Sequence, residues 1–482
     1  MLDEEVIIKN TKHGSERLLI GNVLLMFALP AIFFGGSSDF ITGIFIALGI
    51  VAPINVFIYK RMWIDADPHT LRYYLLAVSP YVASLIITLI GLSSPTISTV
   101  NIGSREYFSL AKDNSDLISS AAGGFLPAVI PDLTTLACAA CALSIYFVTD
   151  SRYILRRLLF FCSLIAAGIA VVGFFYEAII SVKGFENLPT FGSGSFFTFP
   201  DKSWWAAFAL IWLGAALTVA LYSAQRFRIF TFAYSLRFFA LAVALVLFLS
   251  IIYCGTPLEK ILAMAVAGFA CVLLTIDTVP THNNMSRHWT SRYARNMRNA
   301  FTSIVVVPSI CYAVLAATLL SISVFIFIDS ANNKDEMLVV DSSNENSMTI
   351  SQRRALLIDS VDIVELKPLF GWGSSSFPNV FSFYQSSDLG DMAWDTPHSE
   401  LIQKIIENGI VGLLLAIITP LVFFIKWLLK FDFSTSGLVL LATIGAFMIL
   451  VITDCPLHCT AAEMSFWIIL ISLFKWDNAE IR

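Results

Sequence analysis

Long apolar runs recur along the whole chain and constrain its fold more than any other feature. Most hold about 18–26 residues, enough for a helix rising about 1.5 Å per residue to cross ~30 Å of hydrocarbon. Only 13% of the 482 residues are charged, against roughly 25% in soluble domains. Because a spanning segment must satisfy its backbone polar groups internally, the sequence predicts an all-α, polytopic transmembrane helical bundle of about 12 spans.

The predicted spans follow one another with short connections in most places. They lie at 18–36, 40–59, 74–92, 132–149, 158–176, 204–223, 236–253, 258–276, 303–328, 410–429, 436–453 and 461–475. The last is short and interrupted by Glu463. The first follows a polar stretch of mixed charge and is too long for a signal-peptide core, so it is predicted to stay as an uncleaved span.

Lysine and arginine fix the predicted orientation. With a cytoplasmic N-terminus and alternating spans, 20 of the 30 basic residues fall on the inner side, including every short basic loop. Both termini are then cytoplasmic, and the one large loop, between spans 9 and 10, is periplasmic. The predicted organisation is a membrane bundle over 1–328, the loop over 329–409 and the last spans over 410–482.

The polar stretch 367–412 stands out within this apolar chain, and its His398 is the first candidate for chemistry. Thr396 is predicted to cap a helix that begins at Pro397 and ends near Asn408-Gly409. His398 is then the second helical residue, where the positive helix end favours a neutral imidazole and attracts an anion such as a phosphate. The spacing alone favours the alternative, an ordinary surface histidine near a helix cap.

Other residues of the loop complete the candidate site. Gly371 and Gly373 permit close approach of the backbone to a ligand, and Ser374 offers a hydroxyl donor. Arg353 and Arg354, on a predicted helix over 350–366, have the planar fork that suits phosphate oxygens. The alternatives are an ordinary Gly/Ser turn and solvated charges at a helix start.

The turn Asp454-Cys455-Pro-Leu-His458-Cys459 indicates either a metal site, a disulfide or a capped turn. A single short cluster supplies too few ligands for a closed zinc site, so the capped turn is preferred and no metal is predicted. Cys138 and Cys141, inside an apolar run, are predicted to pack as small hydrophobes. The chain has no basic cluster of the kind that binds nucleic acid.

The ordered set of residues in the C-terminal third resembles the O-antigen ligase and O-antigen polymerase superfamily. Arg353 comes first, then Pro-Leu-Phe-Gly-x-Gly-x-x-x-Phe over 368–377. His398 and Glu407 follow, in His-x-x-Leu-x-x-x-x-x-Glu-x-Gly-x-x-Gly over 398–412. The resemblance covers 350–430 closely, whereas further upstream only the number of spans agrees.

This resemblance implies a function that composition does not. It implies a metal-independent glycosyltransferase of the bacterial inner membrane, without a cofactor, that inverts the anomeric carbon at the periplasmic face. The donor would be an undecaprenyl-diphosphate-linked glycan, and the acceptor another glycan or lipid A core sugar, in lipopolysaccharide or exopolysaccharide biosynthesis. His398 would activate the acceptor, and Arg353 or Arg354 would bind the diphosphate.

The chain departs from the family in its second cation. The family places an arginine of a Ser-Arg pair at the outer start of an earlier helix, where this chain has Lys260; Ser151-Arg152 resembles the pair more but lies on the predicted inner side. Ligase and polymerase remain equally open. The alternatives are a polysaccharide or small-solute transporter and a structural subunit of a glycan export complex.

Overall fold

The structure is a computed structural model. It describes residues 18–36, 38–62, 69–102, 105–110, 118–149, 151–180, 195–226, 232–278, 350–389, 393–429 and 434–476. The predicted span at 303–328 and the first part of the large loop lie outside these residues, as do both termini. Within them the fold is an all-α polytopic bundle with one small β-hairpin added.

Fourteen helices account for most of the described chain. The first nine are α1 (Leu18–Ile32), α2 (Asp39–Gly49), α3 (Val51–Met62), α4 (Thr70–Gly91), α5 (Phe125–Val148), α6 (Arg152–Ile180), α7 (Lys202–Arg226), α8 (Phe232–Cys254) and α9 (Pro257–Thr278). The others are α10 (Ile350–Leu366), α11 (Phe377–Tyr384), α12 (Glu400–Leu428), α13 (Thr435–Thr453) and α14 (Thr460–Trp476). Three-residue 3-10 turns lie at Phe34–Gly36, Ser387–Leu389 and Pro456–His458.

Nine helical segments of the described residues are long and apolar enough to cross a membrane. One of them, Phe40–Ile58, joins α2 and α3 through a turn at Ile50. Helix α1 is apolar but shorter. Helix α14 has 17 residues and is buried along almost its whole length, Glu463 included. The apolar runs therefore predicted the positions of these helices well.

Helix α7 forms the centre of the bundle. It packs against α6, α8, α9, α13 and α14, and its side chains from Trp205 to Leu217 are almost entirely buried. At Gly214 a β-carbon would collide with the Thr443 side chain of α13, so glycine permits the close approach of these two helices. Trp212 Nε1 donates a hydrogen bond to Ser465 Oγ of α14 at 2.9 Å, as a buried indole requires.

A second, smaller core lies at one end of the bundle. It is built from α10, α11 and the residues around them, with Leu356, Ile363, Phe377 and Phe381 buried. We call residues 350–389 the cap. The predicted helix over 350–366 is confirmed. Trp372 is buried in this core, where Nε1 donates to the Ile363 carbonyl oxygen at 3.3 Å.

The hairpin is an element that the sequence analysis missed. Strands β1 (Ile97–Ile102) and β2 (Arg105–Leu110) pair antiparallel. The apolar side chains of Ile97 and Leu110 pack against the core of the cap. An isolated two-stranded hairpin is only marginally stable in water, so this hairpin depends on its packing against the cap.

The start of α12 differs from the prediction. The helix begins at Glu400 with Ser399 in the cap position, so Thr396 is not the cap and His398 is not the second helical residue. His398 instead has a backbone φ of +50°. The observed cap, Ser399, and the observed first helical residue, Glu400, both lie three positions after the predicted ones.

Helix α12 breaks at Gly409, where the sequence predicted a helix end. Gly409 has φ +65°, but the helix resumes and continues to Leu428. The backbone groups freed by the break bond to the segment before α11: Ile410 N donates to Pro368 O at 2.9 Å, and Gly373 N donates to Glu407 O at 2.7 Å. A broken helix at membrane depth is stable only when such groups find partners.

The predicted inner and outer segments separate to opposite ends of the bundle. Arg156 and Lys475 lie with Tyr222 and Tyr146 at one end. The cap, the hairpin and the turn after α13 meet at the other end. Which end faces the cytoplasm stays a prediction from the charge pattern.

Candidate functional site

Two turns at the cap end bring together a histidine and a carboxylate. His398 lies just before α12, and Asp454 directly follows α13. Nδ1 of His398 is 3.5 Å from Oδ1 of Asp454. The backbone fixes the pair, because Glu400 N donates to the Asp454 carbonyl oxygen at 3.2 Å. A carboxylate beside one ring nitrogen sets the tautomer and orientation of an imidazole.

Asp454 is held by neighbours on both carboxylate oxygens. Cys455 N donates to Oδ1 at 2.8 Å, and Ser203 Oγ at the start of α7 donates to Oδ2 at 3.1 Å. Burial acts to raise the pKa of Asp454, but the hydrogen bond and charge of His398 outweigh it, so the pKa is lowered. Each side chain of the pair keeps 31% of its surface exposed, and water therefore screens this shift.

Arg353 of α10 closes the same end of the bundle. Its Nη2 donates to the carbonyl oxygen of Thr453, and to that of His398 at 3.4 Å. Burial lowers the pKa of Arg353 while nearby Asp454 opposes the change, and a guanidinium stays charged at neutral pH. The structure therefore brings together two of the predicted site residues, His398 and Arg353, and adds Asp454.

Arg354 and Lys260 lie elsewhere. Arg354 is exposed and lines, with Arg353, an open groove of about 580 Å³ along α10 whose other walls include Leu357 and Val361. Lys260 is half-buried in the first turn of α9. None of the contacts found among the described residues joins either side chain to His398, so their assignment to the site stays a prediction.

Gly371, Gly373 and Ser374 form contacts with the protein itself. Gly371 and Gly373 have φ of +69° and +96°, and their backbones press against Glu407 and Ser120, where a β-carbon would not fit. The hydroxyl of Ser374 is buried: it donates to Asp132 Oδ2 at 2.9 Å and accepts from Asn408 Nδ2 at 2.9 Å. Their predicted role in substrate binding stays a prediction, whereas their role in packing is visible.

Asp132 of α5 is the centre of this buried network. Thr88 and Ser84 of α4 donate to its carboxylate, the latter at 3.4 Å, and Lys404 Nζ of α12 lies 3.6 Å from Oδ1. Its side chain is 2% exposed. We call Asp132, Thr88, Ser84, Ser374 and Lys404 the Asp132 network.

A third polar group lies on the far side of Asp454. His458 Nδ1 is 3.4 Å from Glu400 Oε2, Gln403 Nε2 is 3.0 Å from His458 Nε2, and Cys455 Sγ donates to Gln403 Oε1 at 3.7 Å. Burial acts to lower the pKa of His458, but the Glu400 carboxylate outweighs burial and raises this pKa well above its usual range. Burial raises the pKa of the Cys455 thiol to about 11. We call Glu400, Gln403, Cys455 and His458 the His458 cluster.

Fold and site together define a class: a polytopic helical membrane protein with a histidine, a carboxylate and an arginine at one end of its bundle. A model of the family described as O-antigen ligase matches residues 202–417. The match confirms the resemblance to the O-antigen ligase and polymerase superfamily, and supports a membrane glycosyltransferase of that type. It extends upstream over α7, α8 and α9, which the motifs did not cover. A comparison with curated proteins found no match.

Sequence reasoning missed Asp454, Ser203 and Glu400 as members of the site. Asp454 stands 56 positions after His398, and nothing in the local spacing links the two. The available signal was an acidic residue directly after an apolar run on the same predicted side as His398. Capping is the more common reason for such a residue, and the sequence analysis preferred it.

Proposed function

We propose that the chain transfers a glycan from an undecaprenyl-diphosphate-linked donor to an acceptor hydroxyl at the periplasmic face of the bacterial inner membrane. The proposal rests above all on the 3.5 Å approach of His398 Nδ1 to Asp454 Oδ1. A base whose second nitrogen is oriented by a carboxylate is the arrangement that proton abstraction needs. The partial exposure of both side chains leaves room for an incoming hydroxyl group.

In this proposal Asp454 holds the proton on Nδ1 of His398, and Nε2 accepts the proton of the acceptor hydroxyl. The acceptor oxygen then bonds to the anomeric carbon while the bond from that carbon to the diphosphate oxygen breaks. The carbon inverts, and undecaprenyl diphosphate leaves with the bonding electron pair. No metal takes part in these steps.

Arg353 is the group proposed to bind the departing diphosphate. Both of its described bonds use Nη2, and a guanidinium carries donors on all three of its nitrogens. Negative charge on the diphosphate grows as the bond breaks, so a fixed cation stabilises the transition state more than the ground state. Arg353 is held in position by its hydrogen bonds to the carbonyl oxygens of Thr453 and of His398, the proposed base.

Deletion of the gene followed by a gel of surface glycans tests this proposal. Loss of all attached polymer indicates a ligase, and attached single repeats indicate a polymerase. An unchanged pattern contradicts both. Complementation with His398→Ala separates transfer from transport: a transporter or structural subunit would restore the pattern with this variant, whereas the proposed transferase would not.

A further inference from the structure

We propose that Glu400, Cys455 and His458 form a binding site for a divalent transition metal, for which Zn²⁺ is the best-suited ion. The site is separate from the proposed transfer chemistry and touches no reacting group in it. It would tie the turn after α13 to the start of α12.

The distances match a tetrahedral ion. One ligand atom from each of the three side chains lies within 4.8 Å of the others, and His458 Nδ1 and Glu400 Oε2 are 3.4 Å apart. Ligands about 2.0–2.3 Å from a tetrahedral zinc ion are roughly 3.3–3.7 Å from one another. The imidazole and carboxylate therefore already have the spacing of two zinc ligands, and the Cys455 thiol needs only a small movement.

The donor types select the class of ion. Thiolate, imidazole and carboxylate are all zinc ligands, whereas Ca²⁺ and Mg²⁺ take oxygen ligands. Three protein ligands leave one position of a tetrahedron for water. That position is accessible, because 32% of the His458 side chain is exposed while Cys455 is buried.

Two further observations point to a ligand between these residues. Glu400 Oε2 is buried, and its partner within the described part of the chain is His458 Nδ1, at an ion-pair distance of 3.4 Å rather than in a hydrogen bond. A bound ion would give this carboxylate oxygen a closer charged partner. The second nitrogen of His458 is held 3.0 Å from the side-chain amide of Gln403. A metal-bound histidine donates its other ring N–H to an acceptor. Gln403 would supply this acceptor if its amide oxygen and nitrogen exchanged places, a change that would also replace the hydrogen bonds of the amide with Glu407 Oε1 and Cys455 Sγ.

The same contacts argue against a disulfide in this turn. The thiol of Cys459 points to the opposite side, where Sγ donates to the Gly35 carbonyl oxygen at 3.3 Å. Cys455 Sγ points to Gln403. Cys459 is thus a buried cysteine four positions away that takes no part in the proposed site, which makes it a matched control.

The site has a consequence for the chain around it. Cys455 directly follows Asp454, and Glu400 stands two positions after His398. An ion bound to both segments would join the two turns that carry the His398–Asp454 pair. The sequence alone gave too few ligands for this site, because Glu400 comes from a different turn from Cys455 and His458.

Titration of the full-length protein in detergent micelles with Co²⁺ tests the proposal. The protein is first stripped with a chelator, and Co²⁺ then reports thiolate ligation by a charge-transfer band and tetrahedral geometry by visible bands. We expect one equivalent to bind and Zn²⁺ to displace it. Cys455→Ser and His458→Ala are expected to lose the bands, and Cys459→Ser to retain them. Gln403→Ala should weaken binding about 10- to 100-fold.

Absence of the bands in the folded wild-type protein, or equal bands in Cys455→Ser and Cys459→Ser, would overturn the metal site. Thermal melting of each variant identifies those that fail to fold, and Glu400→Gln, which keeps the shape of the side chain, provides a second ligand variant. His398→Ala should bind Co²⁺ as the wild type does. Failure of the proposed transferase function and failure of the metal site are therefore separately visible.

Discussion

Asp132 and Asp454 have opposite surroundings. Asp132 is 2% exposed, and its two oxygens are occupied by three hydroxyl groups and the Lys404 ammonium. Asp454 has two hydrogen-bond donors and a histidine, and nearly a third of its side chain remains accessible. The first carboxylate is closed within the protein, and the second faces an opening.

The difference separates a structural role from a chemical one. A buried polar network with every member satisfied makes one arrangement of helices rigid and unique. The Asp132 network joins α4, α5, α12 and the cap in this way. A half-open histidine and carboxylate, by contrast, leave a ring nitrogen able to meet a substrate. Changes at Asp132 should therefore affect folding, and changes around Asp454 should affect transfer.

Replacement of the proposed base should have the largest effect. His398→Ala removes the proton acceptor, and we expect glycan transfer to fall by about 10²–10⁴-fold while the melting temperature stays close to that of the wild type. The measurement is attached glycan in a complemented deletion strain. His69→Ala, at the opposite end of the bundle, is the control and should support normal transfer.

Asp132→Ala should instead act mainly on stability. It leaves the ammonium of Lys404 and three hydroxyl groups without their shared acceptor, which should cost roughly 3 kcal/mol of stability. Thermal unfolding in detergent measures this loss, and Asp132→Asn should show a smaller one because the amide still accepts hydrogen bonds. A stable but inactive Asp132→Ala protein would break the distinction between the two aspartates.

Gly409→Ala tests the break in α12, the helix that contributes Lys404 to the Asp132 network. The residue has φ +65°, and an added β-carbon would collide with the Leu369 backbone, so we expect a loss of about 2 kcal/mol. Gly445→Ala of α13 is the matched control, because beyond the backbone of its own helix no atom lies within 4 Å of its added β-carbon. Equal melting temperatures for the two variants would contradict the described break.

Ser203→Ala should have the smallest effect on transfer. The variant removes one hydrogen bond to Asp454, worth about 1 kcal/mol, which corresponds to roughly a fivefold slower rate if Asp454 orients the base. The free energy of unfolding should fall by no more than about this amount, since Asp454 keeps its other partners. Ser79→Ala, whose exposed hydroxyl bonds only to its own helix at Leu76, should leave both quantities unchanged.

Helix positions were predictable from the sequence because the membrane imposes length and hydrophobicity on each span. Runs such as 436–453 correspond closely to Thr435–Thr453. Local signals were less reliable: Thr396-Pro397 resembles a helix start, yet the helix begins at Glu400, whose backbone N–H donates to the Asp454 carbonyl oxygen. The motifs gave His398 and Arg353. Asp454 and Glu400 could not be predicted as site residues, because their partners are distant in sequence. Only the packing of α10, α12 and α13 brings them together.

The most direct test of the account is a double-mutant cycle between His398 and Asp454, with transfer rate as the readout. If Asp454 acts by orienting His398, Asp454→Asn should slow the wild type by about 10-fold or more and should cause no further loss in the His398→Ala background. An equal slowing by Asp454→Asn in both backgrounds would contradict the account, because the two residues would then act independently.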